Sequence, residues 1–194
     1  DPNGWSKDGS VGLGDWTPSW DGTKVAYQLK ENNSDEATLR VIDVASGKVS
    51  EVDVIPGGKY ASASWTPDGS GFYYTWLPTD PKIPVDERPG FQEVRFHRLG
   101  EDPARDRVVH GKLGDPTAFL GAGLSRNGRW LVLSIQHGWI SNDVLYRDLA
   151  DPKQADRWTP LVVGTESQWG VEVFGDRFFV TTNDGAPRSR VFEA

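Results

Sequence analysis

The sequence predicts an all-β protein assembled from repeated units of four antiparallel strands, and three observations support this prediction. Of its 194 residues, 22 are Gly and 13 are Pro, a proportion typical of a chain with many tight turns. Segments rich in aromatic and β-branched residues alternate with these turn residues. One pattern of strand, turn and strand also recurs along the chain, which indicates a repeat architecture.

The recurring pattern is a short apolar strand, a turn in which Gly stands beside Asp or Asn, and a second strand rich in aromatic residues. The first residues of the four turns are 47, 59 and 48 positions apart. Such pairs favour type I′ turns, because both central residues of that turn need a positive φ. The four turns are Asp21-Gly22, Asp68-Gly69, Asn127-Gly128 and Gly175-Asp176.

Two weaker strands follow each of the first three hairpins, and one follows the last. Four antiparallel strands in each repeat of about 40–50 residues predict the blades of a β-propeller. The sequence therefore predicts about three complete four-stranded blades and a partial fourth. These blades span residues 11–56, 57–114, 115–166 and 167–194 of one partial propeller domain.

The second unit is longer than the others because a proline-rich segment, Pro78–Gly90, interrupts it. Prolines this dense cannot sit within a hydrogen-bonded ladder, so the segment is predicted to be a loop between the second and third strands of its blade. Insertions on one face of a repeat array are often functional. A loop without a function of its own is the alternative.

Three blades and a fraction do not close a ring, so the first and last blades would each expose an edge meant for a neighbour. Either further blades complete the ring, or two copies complete each other by self-association through the open edges. The chain contains no Met, not even at position 1, and we expect that it does not begin at a translation start.

Composition excludes several classes of partner. The net charge is −7 and Lys and Arg form no dense cluster, so nucleic acid is not expected as a partner. No run of 18 apolar residues is present, so we expect a soluble chain and no membrane. The absence of Cys removes disulfides, thiolate metal sites and a Cys nucleophile from consideration.

Catalytic motifs are also missing. The string Gly123–Gly128 is the nearest to G-x-S-x-G, but its second Gly is one place late and serves a turn, so Ser125 is interpreted as a turn residue. The histidines lack metal-ligand spacing. We expect His97 and His110 at the surface, and His137 at a hairpin end where it could face a ligand. The sequence predicts no catalytic residue, no metal and no cofactor.

Several longer strings occur in one order along nearly the whole chain, and their order is more specific than any one of them. They are Asp1-Pro2-Asn3, Ser6-Lys7-Asp8-Gly9, Ala63–Tyr74, Leu124–Arg129, Thr181–Pro187 and, in the insertion, Val85–Phe91. Together they resemble the prolyl oligopeptidase family, and the insertion resembles its bacterial members.

The resemblance implies a seven-bladed propeller that caps an α/β-hydrolase domain, with this chain as a segment of the propeller. Family members hydrolyse short peptides after proline with a Ser-Asp-His triad, which lies in the hydrolase domain and outside this chain. The implied partners are that catalytic domain and short proline-containing peptides. The bacterial cytoplasm or the periplasm is the expected location, and the sequence does not decide between them.

The resemblance also implies four substrate-binding positions. Tyr60 matches a propeller Phe and Leu120 a propeller Met in an apolar distal subsite, where Trp139 matches a Cys of the mammalian form and a Trp of bacterial members. Gln136 stands where the mammalian form has an Arg that binds a substrate carbonyl or carboxylate. Gln can donate to a carbonyl but cannot make the charge-assisted fork of Arg, and whether Gln136 or His137 replaces that Arg stays open. For Tyr60 and Leu120 a plain core role is the alternative.

The sequence thus predicts a non-catalytic, substrate-gating propeller segment of a proline-specific serine endopeptidase, inactive by itself. Two alternatives remain. One is a protein-interaction propeller that uses exposed aromatic residues such as Trp139 and Trp158. The other is an engineered or excised fragment that self-assembles into a closed ring.

Overall fold

The computed structural model describes residues 1–32 and 34–194 and folds them into four antiparallel sheets. Three sheets have four strands and the last has three, and within each sheet the strands pair in chain order. The all-β prediction of three four-stranded units and a partial fourth is confirmed. The division into blades at the residues named above stays a prediction. Asn33, the middle of an Asn-Asn-Ser string that matches a glycosylation acceptor, lies outside the described residues.

The strands agree closely with the predicted repeat. The first sheet comprises β1 (Gly12–Pro18), β2 (Lys24–Lys30), β3 (Ala37–Asp43) and β4 (Val49–Pro56). The second comprises β5 (Ser64–Trp65), β6 (Gly71–Trp76), β7 (Glu93–Arg98) and β8 (Arg107–His110). The third comprises β9 (Ala118–Leu124), β10 (Trp130–His137), β11 (Ser141–Asp148) and β12 (Thr159–Val162). The fourth comprises β13 (Trp169–Phe174), β14 (Arg177–Thr182) and β15 (Arg190–Glu193).

The first three hairpin turns share one hydrogen-bonded motif. A Ser or Thr hydroxyl donates to the Asp or Asn two residues later, at 2.6 Å from Ser19, 2.7 Å from Thr66 and 2.6 Å from Ser125. The backbone amide of the same Ser or Thr donates to the carbonyl five residues later, at 2.8–2.9 Å, and closes the hairpin. Each turn is thus specified by local side chains as well as by its Gly.

The predicted type I′ geometry is wrong for these turns. Gly22, Gly69 and Gly128 have φ of +70°, +65° and +74°, whereas the Asp or Asn before each of them is not left-handed. The loops are longer than two residues, and a Ser/Thr–Asp/Asn hydrogen bond stabilises a right-handed turn that needs only one left-handed residue. The two-residue fourth turn likewise has a positive φ at Gly175, +61°, and not at Asp176.

The carboxylates of these turns make stability depend on pH. The Thr66 hydroxyl, followed by the Ser70 amide and hydroxyl, lowers the pKa of Asp68 to about 2. The Ser19 hydroxyl is the largest of the groups that lower the pKa of Asp21 to about 2. A lowered pKa stabilises the fold above the ordinary value of 3.8, and this stabilisation is lost as the pH falls through about 2.

We therefore expect the Tm to fall as the pH is lowered from 3.8 to about 2. The Tm should fall less steeply with pH in an Asp21→Asn/Asp68→Asn variant. The double variant should fold, because Asn127 already occupies the same position in the third turn. Circular dichroism melts at several pH values measure the slope. An unchanged slope would show that these carboxylates do not contribute.

Apolar side chains pack between neighbouring sheets. Leu131 and Leu133 of β10 are fully buried between the second and third sheets. Phe72 and Tyr74 of β6 occupy the same position between the first and second sheets. Because the two faces of a strand alternate, each inner strand supplies apolar residues to one interface and leaves the other face for the next sheet.

Buried amide side chains join the second sheet to the third and the third sheet to the fourth. Gln92, just before β7, accepts from the amide of Leu120 at 3.1 Å and donates to the carbonyl of Ala118 at 3.0 Å, both on β9. Asn142 of β11 makes the same pair of bonds to the amide and carbonyl of Trp169 on β13, at 2.7 and 2.8 Å. We call these two residues the amide clasps. A carboxamide can do this because it carries one donor and one acceptor group.

Helical structure is confined to single turns. Three 3-10 segments of three or four residues are present in the described part of the chain: Pro2–Gly4, Arg88–Phe91 and Pro103–Arg105. No helix among these residues has the length or the apolar character that crossing a membrane requires.

Candidate functional site

The two ends of the sheets differ in what they present. Because the strands of each sheet alternate in direction, the motif-bearing turns lie at one end, which we call the turn end. The connections β2–β3, β6–β7 and β10–β11, and those from one sheet to the next, lie at the opposite end, which we call the loop end. At the turn end, a hydrogen bond from Asn127 to the carbonyl of Gly175 joins the turns of the third and fourth sheets. At the loop end, a hydrogen bond from Gln168 to the carbonyl of Trp139 joins two connections.

All four predicted site positions lie at the loop end. Tyr60 is in the connection from β4 to β5, and Leu120 is near the start of β9. Gln136 is near the end of β10, and Trp139 is in the turn between β10 and β11. The proline-rich insertion, between β6 and β7 as predicted, reaches the same end. Their proximity results from strand direction and could be anticipated from the repeat.

Tyr60 faces an aromatic neighbour that the sequence analysis missed. Its ring meets Phe119 edge to face, with centroids 5.6 Å apart and an interplanar angle of 84°. Phe119 is 37% exposed and lies opposite Gln136 in the β9–β10 register. The strand alternation beside Leu120 could have revealed it, since successive residues of a strand point to opposite faces.

Leu120 lies on the other face of β9 and is 5% exposed. Its side chain belongs to the core between the second and third sheets, with Tyr73 and Val94. Its backbone is also held there, because its carbonyl accepts from Thr75 at 3.0 Å and its amide donates to Gln92. A substrate-binding role for Leu120 stays a prediction.

The polar group of Gln136 is engaged with its own hairpin. Nε2 donates to the carbonyls of Gly138 and Ser141, at 3.0 and 3.2 Å. The neighbouring His137 lies 3.0 Å from the carboxylate of Asp143. Neither side chain is hydrogen-bonded to Tyr60, Phe119 or Trp139. Both side chains instead stabilise the hairpin to which they belong.

Trp139 is the most exposed large apolar residue among those the structure describes, with 97% of its surface accessible, and Ile140 beside it is 71% exposed. Gly138 supplies the left-handed φ of +58° that begins this turn. Tyr60 and Phe119 lie at the same end of the sheets, and we call these four apolar residues of the loop end the aromatic surface. Exposed apolar residues at one end of a fold can mark a contact site.

The insertion is attached to the body at two points. Arg88 forms an ion pair with Glu36 at 3.2 Å, which ties the insertion to the β2–β3 connection. Gly90 accepts from the amide of Gly114 at 2.9 Å, and a Cβ at Gly90 would lie 3.1 Å from the backbone of Pro116. The end of the insertion therefore lies directly on the segment that leads into β9.

Ser125 is a turn residue, as the sequence analysis interpreted it. It is buried, its hydroxyl donates to Asn127, and its Oγ accepts from the amide of Trp130 at 2.9 Å. Within residues 1–32 and 34–194, no hydrogen bond links Ser125 to a histidine.

The surface prediction for His97 is wrong, and that for His110 is wrong in part because His110 is half-buried. His97 is fully buried, with Nε2 3.0 Å from Asp53 of the first sheet and Nδ1 2.8 Å from Asp106 of the second. Tyr74 donates to Asp106 at 2.7 Å. We call these four residues the histidine network. The network could not be predicted from the sequence, because the alternation of residues in an outer strand does not show which face a neighbouring sheet covers.

Electrostatics keep this histidine charged. Burial lowers the pKa of His97, but its hydrogen bonds to Asp106 and Asp53 and the negative charges of these carboxylates outweigh the burial and raise the pKa to about 9. For Asp53, burial raises the pKa, and the bonds to His97, Ser50 and Gly100 reverse this and leave it lowered. An imidazolium between two carboxylates thus joins the first two sheets.

A bulge in the edge strand β4 makes this contact. Arg40 pairs with Val54 and Ile42 with Val49, so residues 50–53 of β4 lie opposite a single residue of β3. The bulge turns Asp53 towards the second sheet.

Comparison with known proteins identifies the family. The family model for the N-terminal β-propeller domain of prolyl oligopeptidase matches residues 1–194. A prolyl endopeptidase of Elizabethkingia miricola is 28% identical over 193 residues, which covers 98% of this chain and 27% of that protein. Prolyl oligopeptidase A of Galerina marginata is 26% identical, and the match covers 98% of this chain and 29% of that protein.

Solved structures agree in fold. One chain, from a structural and mechanistic study of two prolyl endopeptidases, superposes with a TM-score of 0.95 at 55% identity, covering all of this chain and 28% of its own length. Substrate-bound prolyl oligopeptidase B of Galerina marginata has a TM-score of 0.85 at 22% identity, over all of this chain and 29% of its own length, and shows the fold alone. The chain spans less than a third of the length of these relatives. The chain belongs to the prolyl oligopeptidase family and corresponds to part of its N-terminal β-propeller domain.

Proposed function

We propose that residues 1–194 restrict which peptides reach the active site of a proline-specific serine peptidase and have no activity by themselves. The family match over the whole chain supports the first part of this proposal. The second part is supported by the sequence, which holds no G-x-S-x-G nucleophile motif.

The loop end is the side that faces the α/β-hydrolase domain and the bound peptide in this proposal. One observation supports it: the residues of the aromatic surface, with Trp139 97% exposed, lie at the same end as the four residues that the resemblance implies. Tyr60 and Trp139 would bind the apolar distal part of a short proline-containing peptide. Leu120 would support this subsite from the core, and Gln136 from the hairpin.

Activity assays test the proposal directly. The full-length peptidase that contains this segment should cleave a chromogenic peptide after proline. It should spare the same sequence embedded in a folded protein, which cannot pass the propeller. Residues 1–194 alone, folded by circular dichroism, should give no turnover. Turnover by the segment alone that a serine-directed inhibitor abolishes would contradict the proposal.

Trp139→Ala should weaken binding of peptides that are long enough to reach the distal subsite. Burying most of an indole contributes a few kcal/mol, so we expect KM for such a peptide to rise at least about tenfold. A short blocked proline substrate that ends before this subsite should be hydrolysed as before. Equal effects on both substrates would exclude a distal subsite at Trp139.

Self-association is the second candidate, and exposed apolar residues on the first and last sheets favour it. Trp16 of β1 and Phe174 and Val191 of the fourth sheet are exposed. Two copies would complete each other through these faces. Mass measurement of the segment in solution decides, since a monodisperse dimer supports this candidate and a monomer excludes it.

A further inference from the structure

The turn that carries Trp139 is held by two amide side chains, one from the third sheet and one from the connection that follows it. Nε2 of Gln136 donates to the carbonyls of Gly138 and Ser141 at 3.0 and 3.2 Å. Nε2 of Gln168, from the connection between β12 and β13, donates to the carbonyl of Trp139 itself at 3.2 Å. Three backbone carbonyls of one short turn are therefore bound by two glutamine side chains.

The segment that carries Gln168 is itself held by hydrogen bonds. The backbone amide of Gln168 donates to Asn183 Oδ1 at 2.8 Å. Asn142, at the base of the turn, is bonded to both the amide and the carbonyl of Trp169, and its own amide donates to Ser167 at 3.3 Å. The fourth sheet thus provides a firm attachment for a turn that belongs to the third.

Among residues 1–32 and 34–194, no apolar side chain covers Trp139, since its side chain is almost fully exposed. In such a turn the backbone hydrogen bonds fix the backbone and therefore the direction in which the indole leaves it. A turn whose backbone is already held in its bound conformation loses less conformational entropy when a ligand arrives. The glutamine bonds therefore affect ligand affinity without any contact with the ligand.

We infer that Gln136 and Gln168 are positioning residues that hold the Trp139 turn ready for a peptide and do not bind the peptide themselves. Both amide hydrogens of Gln136 are already used within the turn, so donation to a substrate carbonyl would cost the turn a bond. The inference rests on the proposed function, because it assigns roles within that site. It also gives Gln168, which no motif singled out, a part in specificity.

Kinetics of the full-length peptidase that contains this segment test the inference. Gln136→Glu and Gln168→Glu keep the size of the side chain and remove its N–H donors. We expect each to raise KM for a peptide that reaches Trp139 about fivefold, with kcat unchanged, since one hydrogen bond contributes about that factor. A short blocked proline substrate should be unaffected. Gln154→Glu, at the turn end, is the matched control and should leave KM and kcat unchanged for both substrates.

A double-variant cycle separates positioning from direct binding. In a Trp139→Ala background, Gln136→Glu and Gln168→Glu should have no further effect, because the residue that they position is gone. If Gln136→Glu still raises KM about fivefold in that background, the side chain contacts the peptide directly and the inference is wrong.

Fluorine NMR gives a readout that does not need activity. With fluorotryptophan incorporated, the Trp139 resonance is the one lost in Trp139→Phe. We expect this resonance to shift and sharpen in Gln136→Glu/Gln168→Glu while the other tryptophan resonances stay in place. An unchanged resonance would overturn the inference. If the unaltered polypeptide cleaves neither substrate, the proposed function fails and this measurement still decides the inference.

Discussion

Replacing His97 with Leu should lower the free energy of unfolding by about 3–5 kcal/mol, because it leaves two buried carboxylates without their cation. Asp53 and Asp106 lie 3.0 and 2.8 Å from the ring in a fully buried site between two sheets. Urea unfolding followed by tryptophan fluorescence measures the loss. His137→Leu, at an exposed position, is the control and should cost far less.

A second change distinguishes loss of charge balance from loss of packing. If buried negative charge is the cause, Asp106→Asn added to His97→Leu should restore part of the stability, although Tyr74 then donates to a neutral amide. If Asp106→Asn lowers stability further by its full effect in the parent protein, packing at His97 is the cause and the electrostatic account is wrong.

The histidine network also predicts a loss of stability in alkali. A raised pKa contributes stability that is complete below the ordinary value of 6.5 and is lost as the pH rises through about 9. We expect the free energy of unfolding to decline over this interval, and the decline to be absent in His97→Leu. Urea titrations on both sides of the interval provide the comparison.

Gly57→Ala should destabilise the protein by at least about 4 kcal/mol. Gly57 follows β4 with a φ of +80°, and a Cβ there would lie 2.0 Å from the carbonyl oxygen of Leu77. The same two residues are joined by a hydrogen bond from the Leu77 amide to the Gly57 carbonyl at 3.0 Å. Both partners are backbone, so neither can turn away as a side chain would.

A glycine with almost the same backbone angle serves as the matched control. Gly114 has a φ of +78°, and a Cβ there would meet nothing within 4 Å. Gly114→Ala should therefore cost only the left-handed backbone penalty, about 1–2 kcal/mol. The difference between the two variants in urea unfolding isolates the clash. Equal losses would show that φ alone makes Gly57 necessary.

The repeat, the strand order and the position of the insertion could be predicted because they follow from local patterns. Asp21-Gly22 and Asp68-Gly69 specify turns through their own side chains, and the loops could be assigned to one end by counting strands. The inward or outward direction of outer-strand residues could not be predicted in this way. His97 alternates like any outer-strand residue, and only the bulge in β4 and the adjacent sheet bury it.

The location of the candidate site residues at one end of the sheets could be predicted, whereas their contacts could not. The resemblance implies Tyr60, Leu120, Gln136 and Trp139 as site residues, and strand direction brings all four to one end. Phe119 and Gln168 were not predicted as part of the site. Phe119 contributes through an aromatic contact with Tyr60, outside its own sheet, and Gln168 through a single hydrogen bond to a backbone carbonyl. Contacts between sheets leave no periodic signal in the sequence.

The amide clasps have a geometric consequence for any ring built from such sheets. Gln92 and Asn142 each hold both hydrogen-bonding groups of one residue or of close neighbours on the next strand, so each fixes an offset between neighbours as well as a contact. In a circular array the offsets between neighbouring sheets add up around the ring. The ring closes only if their sum brings the last sheet into contact with the first. A clasp altered at one junction would therefore shift every later sheet, so its effect would be felt most strongly where the last blade meets the first.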